Sequence, residues 1–264
     1  MICVGCDLGT VSAKAVVVKD GDILASEVVR YTSHPDQAAN EVLHRALATA
    51  GLGQQQVDAC VATGLGAKAV PFANGNAPDM LCLQQAARAL NPRVRTIIDV
   101  GGHSLAAFNL DDRGVLLESA VVDKCAAGTG IFIDMMAETL EMPLDELVEA
   151  SLSSGNPLLI SNQCVVFAES EVITLVNEGH DRFDIFAGIA SSVAAKIVGL
   201  AGRINIDEEV ALVGGVAKNR LVVRGIEARL GLKLADLGGV DPQVVAALGA
   251  ALVAGEREQA PKRK

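Results

Sequence analysis

The chain has 264 residues, of which 50% are apolar, and a formal net charge of −10 at pH 7. Nucleic acids and anionic membrane surfaces bind basic patches, so the excess of acidic residues argues against both as partners. Asp7 and Lys14 interrupt the early apolar run, and no stretch approaches the roughly 18 unbroken apolar residues of a membrane span. We therefore expect a cytoplasmic protein without a signal peptide or a membrane segment.

Two similar stretches open the two halves of the chain, at residues 1–10 and 94–102. Each holds a short apolar run, then Asp-x-Gly, then a second extended segment, at 15–19 in the first half and 105–110 in the second. This pattern predicts a β-hairpin with a glycine-rich turn, used twice. The chain is therefore predicted to be a duplicated α/β protein.

Other helices and strands alternate around these hairpins. Apolar periodicity and flanking prolines predict helices over 35–50, 79–90, 130–141, 165–176 and 183–204, and strands over 57–63, 115–122 and 210–213. Two similar halves of this kind predict two α/β lobes with a nucleotide-binding cleft between them. The first lobe is predicted at 1–95, completed by a C-terminal helix at 242–264, and the second at 96–241.

Three glycine-rich turns carry the groups that a nucleotide needs, because phosphates bind accessible backbone N–H groups and a cationic side chain. The candidate phosphate-binding residues are Gly9, Thr10, Val11, Ser12, Ala13 and Lys14 in the first hairpin and Gly101 and Gly102 in the second. Asp7 and Asp99 end their strands, where carboxylates suit the water shell of Mg²⁺. The third turn is predicted to lie against the adenosine and contains Gly214, Gly215, Val216, Ala217 and Lys218.

Each turn taken alone is more often an ordinary turn than a phosphate site. Together they resemble the acetate and sugar kinase, Hsp70 and actin superfamily, in which such hairpins from two lobes clamp ATP. That resemblance implies duplicated ribonuclease-H-like lobes with ATP in the cleft between them. A competing motif, GLGAKA at 64–69, nearly matches the dinucleotide fingerprint, but it lacks the acidic residue expected about twenty positions further on.

Six cysteines in a cytoplasmic chain of this size are not expected to form disulfides. Cys3 and Cys6 lie three apart on a predicted strand and so point to opposite faces, which disfavours a shared metal ion. Cys60 and Cys82 lie in an apolar strand and on an apolar helix face. We interpret these four cysteines as buried core residues.

Cys125 and Cys164 differ, because each precedes a predicted helix. The helix dipole favours a thiolate there, and small neighbouring residues leave backbone N–H groups accessible. Two thiolates are too few for a cubane cluster, which usually takes four, but a symmetric dimer would supply four. The residues alone leave two hypotheses open, an intersubunit iron–sulfur cluster and two unrelated loop cysteines.

The segments around these cysteines are the most specific feature of the sequence. KCAAGTG at 124–130 and CVVFAESE at 164–171 are similar to the signature segments of ATPases that activate 2-hydroxyacyl-CoA dehydratases. That family, of the BadF/BadG/BcrA/BcrD type, also includes the ATPase subunits of benzoyl-CoA reductase. The similarity extends through the three nucleotide turns to LGAAL at 248–252.

The resemblance implies an ATP-hydrolysing dimer with one [4Fe–4S] cluster, whose ligands are Cys125 and Cys164 of each chain. It also implies a ferredoxin or flavodoxin as the electron donor. The acceptor would be an acyl-CoA dehydratase or the catalytic subunits of a benzoyl-CoA reductase. ATP binding and hydrolysis would reorient the two helices behind the cysteines.

The sequence departs from the family pattern at the second phosphate turn. His103 and Ser104 stand where dehydratase activators have Gln and Asp, which help to place the attacking water. Histidine can donate and accept, so both residues stay candidates for that role. Thr10 and Val11 replace Ser-Thr, and Leu83 stands where a His is common. These changes favour a benzoyl-CoA-reductase-like subunit that would pair with a non-identical chain.

Two other functions stay open on the sequence. The first is a cluster-free small-molecule kinase of the same superfamily, with Asp7 or Asp99 as its catalytic carboxylate. The second is a nucleotide-dependent interaction module that resembles a chaperone or a filament protein. Both hypotheses make Cys125 and Cys164 structural residues.

Overall fold

The computed structural model describes residues 1–122, 129–161 and 164–259, and these form two compact units. The first unit comprises Met1–Val94, Asp112–Val115 and the chain from Asp236 onward. The second unit comprises Arg95–Asp111 and Leu116–Ala235. The chain therefore returns to the first unit at its end, where its last helix packs on the strand formed by its first residues.

The described strands and helices alternate along the chain, as in other α/β proteins. The strands are β1 (Ile2–Leu8), β2 (Ser12–Lys19), β3 (Asp22–Arg30), β4 (Ala59–Thr63), β5 (Gly75–Asn76), β6 (Thr96–Val100), β7 (Leu105–Leu110), β8 (Leu116–Val122) and β9 (Val210–Val213). The α-helices are α1 (Pro35–Ala50), α2 (Asp79–Leu90), α3 (Gly130–Thr139), α4 (Leu144–Ser151), α5 (Val165–Asn177), α6 (Arg182–Ala201), α7 (Arg220–Leu230) and α8 (Val245–Gln259).

The first unit is built on a five-stranded sheet in the order β3-β2-β1-β4-β5. The first three strands are antiparallel neighbours, whereas β4 runs parallel to β1. Cys6 packs on the α1 side of this sheet with Val42 and Leu43. Cys3 packs on the other side with Val253 of α8. The prediction that Cys3 and Cys6 point to opposite faces is therefore confirmed.

The second unit repeats this topology in a four-stranded sheet of order β8-β7-β6-β9. Its first three strands are again antiparallel neighbours, and β9 runs parallel to β6. Asp7 on β1 is paired with Thr63 on β4, and Asp99 on β6 is paired with Val213 on β9. The corresponding aspartates therefore hold the same place in both sheets, and the predicted duplication is confirmed.

Helix α6 is the core helix of the second unit. Its length and composition would allow a membrane span, and among the described residues it is the one helix that meets this test. More than half of its apolar stretch is buried inside the protein, with Ile185, Phe186 and Ile189 fully enclosed. The Asp181 carboxylate accepts backbone N–H bonds at the start of the helix, as an N-cap residue does. These contacts are those of a helix buried in a protein core.

Four elements were not predicted from the sequence, namely β3, the two-residue strand β5, α4 and α7. Strand β3 is largely exposed and is held by its ladder with β2, so its sequence lacks a strong alternation. Helix α4 has only 8 residues, too few for periodicity to be clear. In contrast, α1 and α2 occupy the predicted residues, because Gly51 ends the first and Pro92 follows the second closely.

Candidate functional site

The first predicted phosphate turn joins β1 to β2. Gly9 N–H donates to the Ser12 carbonyl at 3.1 Å, which closes the turn. Lys14 Nζ lies 2.9 Å from Asp7 Oδ2, and 12% of each of the two side chains is exposed. The turn thus brings a carboxylate, an ammonium group and the largely buried Ser12 together. Thr10 and Val11 form its tip, whereas the Ala13 methyl group is buried in the core of the unit.

The second predicted phosphate turn joins β6 to β7 and has the same geometry. Gly101 N–H donates to the Ser104 carbonyl at 2.9 Å, as Gly9 does to Ser12 in the first unit. Asp99 lies on β6 two residues before this turn. The half-buried Gly102 and the exposed His103 form its tip, and Ser104, whose carbonyl closes the turn, is also exposed. The repeat therefore extends from the sequence pattern to the hydrogen bond that closes each turn.

The predicted adenosine turn follows β9 and continues into a short 3-10 helix, Gly215–Lys218. Gly214 has a φ of 88°, and a Cβ atom there would lie 2.9 Å from Asp99 Oδ1 and would collide with the Val100 carbonyl. Gly64 after β4 also has a φ of 88°, and its Cβ would collide with Asp7 and the Leu8 carbonyl. Only glycine combines this conformation with so close an approach.

Gly64 therefore belongs to a third repeated element, which was not predicted from the sequence. A 3-10 helix of three residues, Ala67–Ala69, follows it, in place of the long helix that opens a dinucleotide site. The sequence contains a pattern that indicates this repeat, because Gly-x-x-Ala-Lys occurs at both 64–68 and 214–218. The competing dinucleotide motif is thus the counterpart of the adenosine turn in the first unit.

The start of α3 is bonded to the second phosphate turn. Gly130 N–H donates to the Gly101 carbonyl at 2.9 Å, and Ile131 N–H donates to the Gly102 carbonyl at 3.0 Å. A Cβ atom on Gly130 would lie 3.3 Å from the Gly101 oxygen and 3.5 Å from Val216. Gly130 is the last residue of the KCAAGTG segment. The second phosphate turn, the adenosine turn and the end of that segment therefore meet at one point in the second unit.

Cys164 is the residue that precedes α5, and its thiol is free and half-buried. Ser161 N–H donates to Glu171 Oε2 on α5 at 2.8 Å, so Ser161 is tied to the helix that begins after Cys164. Cys125, the other predicted cluster ligand, lies outside the described residues. In the part of the chain that is described, no three His, Cys, Asp or Glu side chains form a metal-binding group.

The other four described cysteines are buried, as the sequence predicted. Burial raises the pKa of the Cys60 thiol to about 12 and that of Cys82 to about 11. It also raises the pKa of Cys3 and of Cys6. A thiol that stays protonated binds metal poorly, since the thiolate is the ligand. Within the described ranges, Cys164 is therefore the cysteine best suited to metal ligation.

Two α/β units with this repeated turn define an ATPase fold of the acetate and sugar kinase, Hsp70 and actin superfamily. Residues 4–254 match the BadF/BadG/BcrA/BcrD ATPase family, and the chain belongs to that family. It is therefore an ATP-hydrolysing protein, as the sequence predicted.

Several curated relatives align with nearly the whole chain. The activator of lactoyl-CoA dehydratase of Anaerotignum propionicum is 41% identical over 263 residues, which cover 98% of this chain and 99% of that protein. The (R)-2-hydroxyglutaryl-CoA dehydratase activating ATPase of Acidaminococcus fermentans is 37% identical and covers 95% of each chain. A benzoyl-CoA reductase subunit of Thauera aromatica is 32% identical over a stretch that covers 82% of this chain and 78% of that one.

Solved structures confirm the predicted fold. The activator of the 2-hydroxyisocaproyl-CoA dehydratase from Clostridium difficile, with bound ADPNP, has a TM-score of 0.92 at 35% identity and covers 100% of both chains. A ROK family glucokinase from Streptomyces griseus has a TM-score of 0.57 at 15% identity, covering 97% of this chain and 100% of that one. The second likeness concerns the fold alone.

Proposed function

We propose that this chain is the ATP-dependent activator of a 2-hydroxyacyl-CoA dehydratase. It would receive a low-potential electron from a ferredoxin or flavodoxin and deliver it to the dehydratase. The observation that carries the proposal is the pair of hydrogen bonds from Gly130 and Ile131 to the second phosphate turn. They link the proposed phosphate-binding residues Gly101 and Gly102 to the end of the segment that contains Cys125. The named relatives support the class of partner. The cytoplasm stays the expected location.

Cys125 and Cys164 are the proposed ligands of one [4Fe–4S] cluster, two from each chain of a dimer. Cys164 fits this role because its thiol is free and half-buried at the start of a helix, whereas the other described cysteines are buried. The role of Cys125 rests on the KCAAGTG segment. When bound, such a cluster supplies a one-electron carrier whose potential depends on its hydrogen bonds and exposure.

A second copy of the chain is the proposed partner at the cysteines. On α5, directly after Cys164, Val166 is 63%, Phe167 is 70% and Ile173 is 47% exposed. The uncharged Ser170 is also exposed on this helix. Exposed apolar patches of this kind mark interaction surfaces, and a two-fold axis beside this patch would bring two Cys164 residues together.

Each glycine-rich turn has a proposed role in binding ATP. Residues 9–14 and Gly101 with Gly102 would bind phosphate oxygens, and residues 214–218 would contact the adenosine. Asp7 and Asp99 would hold the water shell of a Mg²⁺ ion, since hydrated Mg²⁺ prefers carboxylates. His103 and Ser104, exposed at their turn, would help to orient the attacking water.

Coupling between ATP and the cysteines would run through α3 and α5. Helix α3 begins at the second phosphate turn and packs against α5, which begins at Cys164. A nucleotide that moves the Gly101 turn would shift α3 and, through it, the start of α5. These two helices are the proposed two-state element that nucleotide biases.

A second candidate is the ATPase subunit of a benzoyl-CoA-type reductase, paired with a non-identical chain. His103 and Ser104 favour it, because they depart from the pattern of dehydratase activators. The identities of 41% with a dehydratase activator and 32% with a benzoyl-CoA reductase subunit favour the first proposal. Co-purification of the partner under strict anaerobiosis decides between the two, since the catalytic subunits differ.

The test of the cluster is anaerobic purification followed by iron and sulfide analysis. We expect brown protein with about four irons per dimer, lost in the Cys125→Ala and Cys164→Ala variants. A chelator should remove the iron at different rates with ATP, ADP and no nucleotide. Colourless protein that phosphorylates a small molecule would support the cluster-free kinase. Equal chelation rates in the three states would contradict the coupling.

A further inference from the structure

Tyr31 contacts the first phosphate turn at two carbonyl groups. The chain has one tyrosine and no tryptophan. Tyr31 follows β3 directly, is half-buried, and donates its hydroxyl group to the Gly9 carbonyl. Its backbone N–H donates to the Val11 carbonyl at 3.1 Å. One residue thus holds the turn on both sides of Thr10.

The bond to Gly9 fixes the direction of a neighbouring donor. In a trans peptide the C=O and N–H groups point in opposite directions. The Gly9 carbonyl and the Thr10 N–H belong to one such peptide. Because the Tyr31 hydroxyl holds the carbonyl, the Thr10 N–H is directed away from Tyr31. Glycine has an unusually wide choice of backbone angles, so without this bond the peptide could rotate.

At neutral pH the Tyr31 hydroxyl is protonated, as tyrosine ordinarily is, and can therefore donate this hydrogen bond. Its pKa is raised, first by desolvation and also by the nearby Asp7, while Lys14 acts in the opposite direction. Tyr31 therefore lies within electrostatic reach of the same ion pair that flanks the turn. A phosphate bound beside Lys14 would therefore change the electrostatic environment of the tyrosine ring.

We propose that Tyr31 is a positioning residue for ATP, which holds the Gly9–Thr10 peptide with its N–H directed toward the phosphates. This inference rests on the proposed phosphate site at residues 9–14. Without the hydroxyl group, the turn would become ordered only when phosphate binds, and the free-energy cost of that ordering would lower the affinity for ATP. The loss of one hydrogen bond predicts an ATP affinity about 3- to 10-fold lower.

The test uses the Tyr31→Phe variant of the full-length protein, which removes the hydroxyl group and keeps the ring. We expect the Kd and KM for ATP to rise about 3- to 10-fold, while kcat changes less than about twofold. The matched control is Thr49→Val, which likewise removes one hydroxyl group that donates a hydrogen bond. That bond joins the exposed Thr49 on α1 to Glu27 on β3 and does not involve the phosphate turn. A purely structural role would lower the unfolding temperature and leave KM unchanged.

The single tyrosine also provides a spectroscopic readout. Selective labelling gives one tyrosine ring signal in the NMR spectrum, and we expect it to shift on saturation with ATP. An unshifted signal together with a wild-type Kd in Tyr31→Phe would overturn the inference. Lys14→Met separates this outcome from failure of the phosphate site. If Lys14→Met weakens ATP binding and Tyr31→Phe does not, only the role of Tyr31 is wrong; if neither does, the site itself is wrong.

Discussion

The Lys14 ammonium lies 2.9 Å from the Asp7 carboxylate, and 12% of each side chain is exposed. The two residues face each other across the β1–β2 ladder at the base of the first phosphate turn. Removing one partner of so shielded a pair is costly, because the other charge loses this counter-ion. The pair therefore contributes both to the stability of the turn and to the charge that a phosphate would meet.

Replacing Asp7 separates hydrolysis from binding. Asp7→Asn is expected to lower kcat for ATP hydrolysis by about 100-fold, since an amide supports a hydrated Mg²⁺ poorly. Lys14 keeps its charge, so the Kd for ATP should change less. Steady-state assays and calorimetric titration measure the two quantities, with the exposed Asp22→Asn as the control. A kcat within about threefold of the wild-type value would exclude a role for Asp7 in hydrolysis.

Gly130→Ala tests the link between the phosphate turn and α3. The added Cβ would lie 3.3 Å from the Gly101 oxygen, which forces the turn and the helix apart by a few tenths of an ångström. We expect normal iron content but chelation rates that no longer differ between ATP and ADP. Gly199→Ala on α6 is the matched control, because its Cβ would meet no atom within 4 Å. If Gly130→Ala keeps the wild-type difference, coupling does not pass through this contact.

Glu171 is expected to hold the chain before Cys164 in place. Glu171→Ala removes the acceptor of the Ser161 N–H, so iron should be lost faster in air, while the free energy of unfolding falls by only about 1 kcal/mol. Glu171→Gln keeps a carbonyl acceptor and should restore iron retention. Glu169→Ala on the same helix is the control. Iron loss at the wild-type rate in Glu171→Ala would count against this role.

The buried thiols predict a loss of stability at high pH. Cys60 and Cys82 have pKa values of about 12 and about 11, both raised from 9.0 by burial. The stability that these groups contribute is therefore present below pH 9.0 and is lost as the pH rises toward 11. In that window the thiol ionises in the unfolded chain but not in the folded one, so each thiol lowers the free energy of unfolding by up to about 1.4 kcal/mol per pH unit.

Urea unfolding under reducing conditions at several pH values between neutrality and the alkaline range measures this effect. The Cys60→Ala variant should be less stable near neutral pH, because it leaves a small cavity, but its stability should fall less steeply with pH. An identical slope in both proteins would mean that Cys60 does not contribute to the alkaline loss.

Much of the fold followed from local patterns. The Asp-x-Gly turns after apolar runs predicted the first strands of both sheets, and α1 and α2 have the predicted limits. Strand β3 was missed, although it positions Tyr31, because a mostly exposed edge strand has little apolar alternation. The Gly64 turn shares Gly-x-x-Ala-Lys with the Gly214 turn, but so short a pattern does not show the close approach to a neighbouring strand that makes the two turns equivalent.

By itself the sequence determined the duplicated ATPase fold and the family, because turn residues, apolar period and the two cysteine segments are local features of the chain. Only the tertiary structure decided which groups meet. Tyr31 reaches Gly9 from 22 residues away. Gly130 reaches Gly101 because α3 starts against the turn between β6 and β7. Such contacts depend on how whole elements bury their apolar faces, and that packing is a property of the entire unit.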